Sequence, residues 1–482
     1  MPPEQQTTTP ETDEDKSLYA SRVKIHPQSV TGVFRRLKWL VLIVILALYY
    51  GLPWLRWDRG AGSPDQAILA DMTGRRLYFF NIEIWPQEIY YLTGLLIIGA
   101  IGLFLVTTLA GRVWCGFSCP QTLWTDLFML VERWIEGDRN KRLKLDAAPF
   151  SLNKLWKRTA KHAAWLLIAL ATGGAWIMYF VDAPTVTVHF FTGQASSTIY
   201  GFTALFTATT YVLAGLAREQ VCTYMCPWPR FQGAMFDEDS LIITYEEWRG
   251  EPRGKEKNKE RDNLGDCVDC NLCVNVCPTG IDIRQGQQMQ CIGCALCIDA
   301  CDSIMDKLGR EPKLIAYDSI ANMNAREEGR PATKRLIRPR TIAYSLSLLL
   351  VMVLMVYGLS SRADLEINLQ RDRAPLFVTL SDGDIRNGYT LKILNMARLD
   401  RVFDLAIDDF PEALISVIGY EKDGASSVTL SVKADAVGTF RVFVRAPTDS
   451  IQADVTEMRF VLTDRKDGKI SEQDSSFYGP KR

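Results

Sequence analysis

Two stretches decide how this chain is read: Cys267-Val268-Asp269-Cys270-Asn271-Leu272-Cys273-Val274-Asn275-Val276-Cys277-Pro278 and Cys291-Ile292-Gly293-Cys294-Ala295-Leu296-Cys297-Ile298-Asp299-Ala300-Cys301-Asp302. Both are spaced C-x2-C-x2-C-x3-C, the ligand pattern of a bacterial ferredoxin with two [4Fe–4S] clusters. Three thiolates of each run wrap one cluster, and the fourth crosses to the other. Cluster one is therefore expected on Cys267, Cys270, Cys273 and Cys301. Cluster two is expected on Cys291, Cys294, Cys297 and Cys277. Structural zinc is the competing reading, but zinc knuckles use two spaced pairs rather than two runs of four. Asp302 stands where the motif has proline, so it adds a negative charge beside the first cluster and is expected to lower its potential.

Working outward, the remaining four of the twelve cysteines form two C-x3-C pairs, Cys115/Cys119 and Cys222/Cys226, each followed by proline. Each pair closes an apolar run. The segment Arg112-Val113-Trp114-Cys115-Gly116-Phe117-Ser118-Cys119-Pro120-Gln121 has a counterpart in Glu219-Gln220-Val221-Cys222-Thr223-Tyr224-Met225-Cys226-Pro227-Trp228, which makes an internal repeat. If a helix continues through each pair, its two sulfurs share a face. Thiolate pairs select Cu(I). A redox dithiol and simple packing of small residues are the alternatives. Met225 could add a thioether or pack in the core. Pro120 and Pro227 can open following helices. Gln121–Trp134 then reads as amphipathic, with Leu123, Leu127, Leu130 and Trp134 on a membrane-surface stripe and Asp126 and Glu132 on a solvated face.

Five stretches read as bilayer spans: Trp39–Leu55, Ile89–Ala110, Ala163–Val181, Ile199–Ala217 and Thr341–Leu359. Ten Lys/Arg lie between the second and third, among them Arg139, Lys141, Arg142 and Lys144, while Asp182–Thr198 has none. The asymmetry predicts a bacterial inner-membrane, multi-pass protein, with the N-terminus, both C-x3-C pairs and the ferredoxin segment cytoplasmic and the C-terminus periplasmic. A reducing compartment also suits free thiols and clusters. A net charge of −1 gives no reason to expect a nucleic-acid partner. Only three histidines argue against haem or His-ligated zinc, and the lone His189 reads as structural. No glycine-rich nucleotide fingerprint opens a helix after a strand.

The expected organisation is multi-domain α+β: a five-helix membrane bundle, an inserted two-cluster ferredoxin module and a C-terminal immunoglobulin-like β-sandwich. The boundaries read as residues 1–38 disordered or cytoplasmic N-terminus, 39–245 four-helix membrane domain with both CxxxCP motifs, 246–310 ferredoxin, 311–340 cytoplasmic linker, 341–359 fifth helix and 360–482 β-sandwich. Within this plan Met1–Asp15 reads as disordered and Glu246–Asp262 as a solvated linker. Strands are expected at Leu376–Leu380, Thr390–Leu394, Val402–Ile407, Val428–Val432, Phe440–Arg445 and Met458–Leu462, with turns at Ser381–Asp384, Asn387-Gly388 and Lys422–Gly424.

Arg112–Gln121, Arg218–Gln232 and Cys267–Asp302, followed by one more span and an all-β tail, resemble the FixG/RdxA/CcoG family. The paired Cys-Pro motifs alone also resemble the NapH and NosR membrane ferredoxins. The resemblance implies an accessory protein of cbb3-type cytochrome c oxidase assembly that acts as a membrane cupric reductase. Cys115, Cys119, Cys222 and Cys226 would then be copper or relay thiolates. Partners would be oxidase subunits, a copper transporter or chaperone and an unidentified cytoplasmic electron donor. Alternatives are a quinol-linked electron-transfer subunit of a respiratory reductase, or a redox-sensing assembly scaffold.

Overall fold

The computed structural model describes residues 24–480 except 61–62, 256–262, 334, 362–364, 398, 421–423 and 452. The Met1–Asp15 leader, the end of the Glu246–Asp262 linker and Lys422-Asp423 lie outside the described residues. Two compact units divide the chain, Met1–Met355 and Val356–Arg482.

The first unit runs α1 (Val33–Gly51), β1 (Ile68–Asp71), β2 (Arg76–Phe79), β3 (Ile82–Ile84), α2 (Tyr90–Ala110), α3 (Pro120–Ile135), α4 (Arg139–Ala147), α5 (Leu152–Ile177), α6 (Ala183–Thr192), α7 (Ser197–Thr210) and α8 (Trp228–Met235). It continues with β4 (Ile242–Tyr245), α9 (Glu247–Gly250), α10 (Leu272–Asn275), α11 (Leu296–Leu308), β5 (Ile315–Asp318), α12 (Ile320–Glu327) and α13 (Pro339–Ser360). Among the described residues four helical stretches are long and apolar enough to cross a membrane: Val33–Trp54, Pro86–Ala110, Ser197–Ala217 and Pro339–Ser360. The expected span at Ala163–Val181 falls in α5, which is helical only to Ile177 and carries Lys154, Lys157, Arg158 and Lys161 in its first half. Those charges shorten its apolar stretch, and it is not among the four. The first span begins at Val33, before the expected Trp39.

Small residues set the helix packing. A Cβ at Gly173 on α5 would meet Thr207 Oγ1 at 2.8 Å and the Thr203 carbonyl at 2.9 Å on α7, so the backbones approach closely there. Several polar groups at this depth are paired, as a membrane protein favours, while Thr207 Oγ1 has no hydrogen-bond partner among the described residues. Thr172 on α5 accepts from Tyr49 OH through its carbonyl (2.9 Å) and from Trp124 Nε1 through its hydroxyl (2.8 Å). Leu42, Leu123, Phe128, Trp165, Ala169 and Ala214 fill the core where α1, α3 and α5 meet.

Three expectations change in this unit. The loop expected at Asp182–Thr198 holds α6, opened by the Asp182 carboxylate accepting from Thr185 N at 3.1 Å. His189 lies on that helix and is exposed. Glu246 does not open a solvated linker. It is buried and pairs with Arg326 at 2.8 Å. Beside it β4 and β5 form a two-stranded antiparallel sheet that brackets the cysteine runs, with Ile242 opposite Asp318 and Tyr245 opposite Ile315.

The second unit is a β-sandwich. Its strands are β6 (Leu365–Arg371), β7 (Val378–Thr379), β8 (Ile385–Asn395), β9 (Arg401–Asp408), β10 (Leu414–Val417), β11 (Ser427–Val432), β12 (Ala436–Ala446), β13 (Val455–Asp464) and β14 (Ile470–Tyr478). One sheet is ordered β10-β12-β8-β6 with β7 beside β8, and the other β11-β9-β13-β14. Alternate residues such as Tyr389, Leu391 and Ile393 face Phe403, Leu405, Phe460 and Leu462 across one core. Asn387-Gly388 is not a turn. It lies inside β8, where Asn387 is buried and bonds the Tyr478 backbone at 2.8 and 3.0 Å.

Candidate functional site

The two cysteine runs fold alike. In each, the residue before the second cysteine and the residue after it take left-handed backbone: Asp269 and Asn271 in the first (φ 51° and 56°), Gly293 and Ala295 in the second (φ 69° and 59°). For Ala295 that conformation costs about 1–2 kcal/mol. It turns the chain sharply, so that the first two cysteines of each run precede the helix and the third, Cys273 or Cys297, sits in the first turn of α10 or α11. Cys267, Cys270, Cys273 and Cys301 line one small cavity. Cys277, Cys291, Cys294 and Cys297 line another, shared with Cys273. These are the two crossed sets expected from the spacing. Among the described residues no three His, Cys, Asp or Glu side chains converge as they would on a single ion. Thiols spread around a cavity suit a cluster with ligands at its corners.

Chemistry supports that fit. Burial pushes the Cys291 and Cys301 thiols up to about 12 and Cys273 up to about 11. Thiols in such surroundings stay protonated and inert unless a metal centre draws the proton off.

The C-x3-C pairs sit at breaks in the helices rather than along continuous ones. α2 ends at Ala110, Gly111 turns to φ 59°, and Trp114–Ser118 forms a π-helical turn closed by Cys119 N donating to the Trp114 carbonyl at 2.8 Å. The second copy repeats this. Tyr211–Ala217 ends in Arg218 at φ 46°, and Val221–Met225 forms a π-turn closed by Cys226 N to the Val221 carbonyl at 2.8 Å. The expected shared α-helical face is therefore replaced by a wider turn, with Cys119 and Cys226 in extended backbone at its end. Pro120 opens α3 at its first position, and Pro227 caps α8. Burial pushes the Cys115 and Cys222 thiols up to about 12, with the neighbouring cysteines adding to it. Cys115 Sγ donates to Gln232 Oε1 at 3.3 Å. Cys226 is exposed. Met225 is exposed too, so it is not a core residue.

The fold joins the two kinds of cysteine site. Cys115 and Cys222 both pack against Val276, Ile292, Cys294, Leu296 and Ala300 of the ferredoxin segment. A Cβ on Gly116 would stand 2.7 Å from the Gly293 carbonyl oxygen and 2.9 Å from Cys294 Cα. Backbone of the first pair thus lies against backbone of the second run, and only glycine permits it. Arg112 fixes the same contact. Its guanidinium donates to the Cys291 carbonyl at 2.8 Å, to the Met289 carbonyl, and to the Pro229 carbonyl of the second copy at 2.9 Å. From α11, the Asp299 carboxylate accepts from Phe34 N (3.1 Å) and Arg35 N (2.7 Å) and so caps α1.

Asp126 and Glu132 were expected on a solvated face of α3, yet their side chains are only 1% and 2% exposed. Asp126 takes Arg35 at 2.9 Å. Glu132 takes Arg142 at 2.8 Å, Lys161 at 3.6 Å and Arg218. Nearby cations hold both carboxyls below their usual range, overcoming the opposing effect of burial. The buried stripe of α3 is accordingly Leu123, Trp124, Phe128 and Val131, while Trp134 at its end is exposed. Sequence offered one signal for these ion pairs: acids embedded in an otherwise apolar helix, in a chain with surplus Arg and Lys in the flanking segments.

Comparison with known proteins agrees with this layout. A model described as a 4Fe-4S dicluster domain matches residues 217–320, one described as a 4Fe-4S binding domain matches 92–142, and one for the IG-like fold at the C-terminal of FixG matches 355–480. The "Nitrogen fixation protein FixG" of Rhizobium meliloti is 51% identical over 89% of this chain and 88% of that protein. "Protein RdxA" of Cereibacter sphaeroides is 46% identical over 96% of this chain and 98% of its own length. "Protein RdxB" of the same organism is 47% identical over 98% of this chain and 99% of its own. Crossed thiol sets, paired Cys-Pro turns, apolar helices and a terminal β-sandwich thus all fall within one family: the chain is an iron–sulfur, ferredoxin-type membrane protein of the FixG/RdxA family.

Proposed function

We propose that this protein carries two [4Fe–4S] clusters and uses them to reduce Cu(II) to Cu(I) in support of cbb3-type cytochrome c oxidase assembly. Cys267, Cys270, Cys273 and Cys301 would hold one cluster, and Cys291, Cys294, Cys297 and Cys277 the other. Bound there, the clusters supply storage and transfer of single electrons. The observation that carries the reading is the backbone contact of Gly116 with Gly293 and Cys294, which brings the second cysteine set against the first C-x3-C pair.

The chain's own residues account for the remaining parts. Arg112 and Gly116 hold donor loop and rim together. Exposed Cys226 offers a landing point, and half-buried Cys222 and Cys115 lead inward. Thiolates are soft ligands and favour Cu(I), the product, over Cu(II). Each copper ion takes one electron, so a two-electron donor on the cytoplasmic side serves two ions. Thiols that bind copper release their protons to solvent. Cu(I) then passes to a transporter or chaperone for the oxidase subunits. In this reading α5 supplies the third of five spans in chain order, the basic interspan segments face the cytoplasm of a bacterial inner membrane, and the β-sandwich lies in the periplasm.

Replacing Cys222 and Cys226 with Ser tests the assignment. We expect cupric reduction and bound copper to fall while iron content stays. Unchanged reduction and copper stoichiometry rules out that pair as the site.

A second reading, quinol-linked electron transfer, draws on one cavity. Leu167, Leu170, Ile177, Phe190, Phe191 and Thr203 of α5, α6 and α7 line a mostly apolar space of about 320 Å³, within the size range of small-molecule sites. Cluster reduction by added quinol, abolished by filling that space with Gly174→Phe, would favour it.

A further inference from the structure

Lys38 lies in the second turn of α1, at one end of a membrane-length helix, and its side chain is 1% exposed. Among the described residues its Nζ makes no hydrogen bond. The carboxylate it faces, Asp126, stands 3.6 Å away and is already engaged by Arg35, which donates to its two oxygens at 3.0 and 2.9 Å. Two buried cations therefore share one carboxylate, leaving surplus positive charge in a low-dielectric place. An ionisable side chain held this way is expensive and points to a function.

What surrounds the ammonium indicates which function. Lys38 lines a cavity of about 30 Å³ with Gln121, Cys222, Thr279 and Ile292, and the oppositely charged Arg218 and Glu219 line it too. Cys222 belongs to the second rim pair. Thr279 follows Cys277 by two residues, and Ile292 follows Cys291. Rim thiol and second cysteine set meet at this point.

We propose that the Lys38 ammonium directs electrons toward the membrane rim by stabilising added negative charge at Cys291, Cys294, Cys297 and Cys277. This rests on the two-cluster reading. Each electron accepted there adds one negative charge, and a buried cation nearby favours the reduced form and raises the potential. Arg112, bonded to carbonyls including that of Cys291, adds positive charge on the same side. Among the described residues the first set has no comparable surplus. Arg284 lines its cavity but is matched by Asp269 at 2.8 Å and Asp282 at 2.7 Å. Asp302, next to Cys301, adds negative charge there. Asp299 lies between Cys297 and Cys301, and its carboxylate is taken up by the α1 amides. Charge thus becomes more positive from the Asp302 end to the Lys38 end, and electrons run downhill in that direction.

Lys38 acts through the cysteine set, so it is a positioning residue and its readout is a potential. Anaerobic redox titration of the full-length protein, followed by electron paramagnetic resonance, compares wild type with Lys38→Met, Lys38→Arg and Asp126→Asn. We expect Lys38→Met to move one midpoint to lower potential and leave the other in place, Lys38→Arg to keep the wild-type values, and Asp126→Asn to move that same midpoint upward. Loss of packing alone gives no reason for the two neutralising variants to shift in opposite directions. Two intact clusters with unchanged midpoints in Lys38→Met, or shifts of equal sign in Lys38→Met and Asp126→Asn, overturn the proposal. Should Lys38→Met fail to keep its clusters, Asp126→Asn decides: an upward shift supports the proposal and no shift rejects it. Fewer than two clusters in wild type fails the functional reading itself, and iron analysis of wild type shows that separately.

Discussion

Gly116 shows how much one missing side chain does here. Its neighbours within van der Waals range are backbone atoms of Gly293 and Cys294, which cannot rotate away as a flexible side chain would. Gly116→Ala should push the second run off the rim by a few tenths of an ångström or more. Misplacement by about 1 Å costs up to roughly hundredfold in rate, and a few tenths of an ångström on the order of severalfold. Stopped-flow transfer from the reduced protein to Cu(II) should slow by that much while iron content stays at wild type. An unchanged rate would place the transfer contact elsewhere. Glu132 makes a different kind of claim. Its buried carboxylate pairs with Arg142, Lys161 and Arg218. Glu132→Gln leaves Arg142 and Arg218 without that carboxylate, while Lys161 keeps Glu136 at 3.1 Å, and should cost about 3–5 kcal/mol. A thermal melt of the detergent-solubilised protein indistinguishable from wild type would contradict that.

Among elements, the segment before α1 ties the helical regions together. Gln28 N donates to the Asn275 carbonyl at 2.8 Å, Ser29 Oγ to Asp138 at 2.6 Å, and His26 Nε2 meets Asp146 at 2.9 Å. Burial, reinforced by Lys24 and Arg142, pushes His26 down to about 4. Asp146 does not reverse this, because Arg158 and Lys24 already pair with it. The unfolded imidazole takes up its proton near 6.5, so between about pH 6.5 and 4 the detached segment binds more protons than the docked one. Docking is therefore at full strength above pH 6.5 and weakens as pH falls through that window. Hydrogen exchange at residues 24–32 should speed up at pH about 5 relative to about 7.5, after correction for intrinsic rates, and His26→Asn should remove the difference. Exchange protection independent of pH in wild type would refute it.

The same scale explains what the sequence could and could not disclose. Thiol spacing was enough to foretell which cysteines line each of the two cavities. The repeat was legible as well, because Cys-x3-Cys-Pro recurs. Its π-turns were not, since Gly111 and Arg218 share an unusual backbone that no common residue type announces. Asp126 and Glu132 looked solvated because their partners, Arg35 and Arg218, lie 91 and 86 residues away in the chain. The sandwich strands passed over, Leu365–Arg371, Leu414–Val417 and Ile470–Tyr478, are all sheet edges. Edge strands carry polar residues that guard against further pairing, which weakens their alternation. Asn387-Gly388 read as a turn because that dipeptide favours turns when exposed. In β8 the Asn387 amide is buried and bonded instead to Tyr478.

For the whole molecule, the account separates a redox unit from a β unit. The latter has its own core, with Tyr389, Phe403, Phe460 and Phe477 fully buried between its sheets. A fragment beginning at Leu365 should fold alone and unfold in one cooperative urea transition. Phe460→Ala should lower its stability by about 3–5 kcal/mol. A fragment lacking cooperative unfolding would mean that this core depends on the rest of the chain. In the redox unit everything depends on what the eight ferredoxin cysteines hold. Anaerobic iron, sulfide, zinc and copper analysis of the full-length protein, joined to electron paramagnetic resonance of the reduced state, tests that most directly. The account predicts about eight irons and eight sulfides per chain, with signals from two interacting clusters. Zinc in place of iron, or a single cluster, would contradict it.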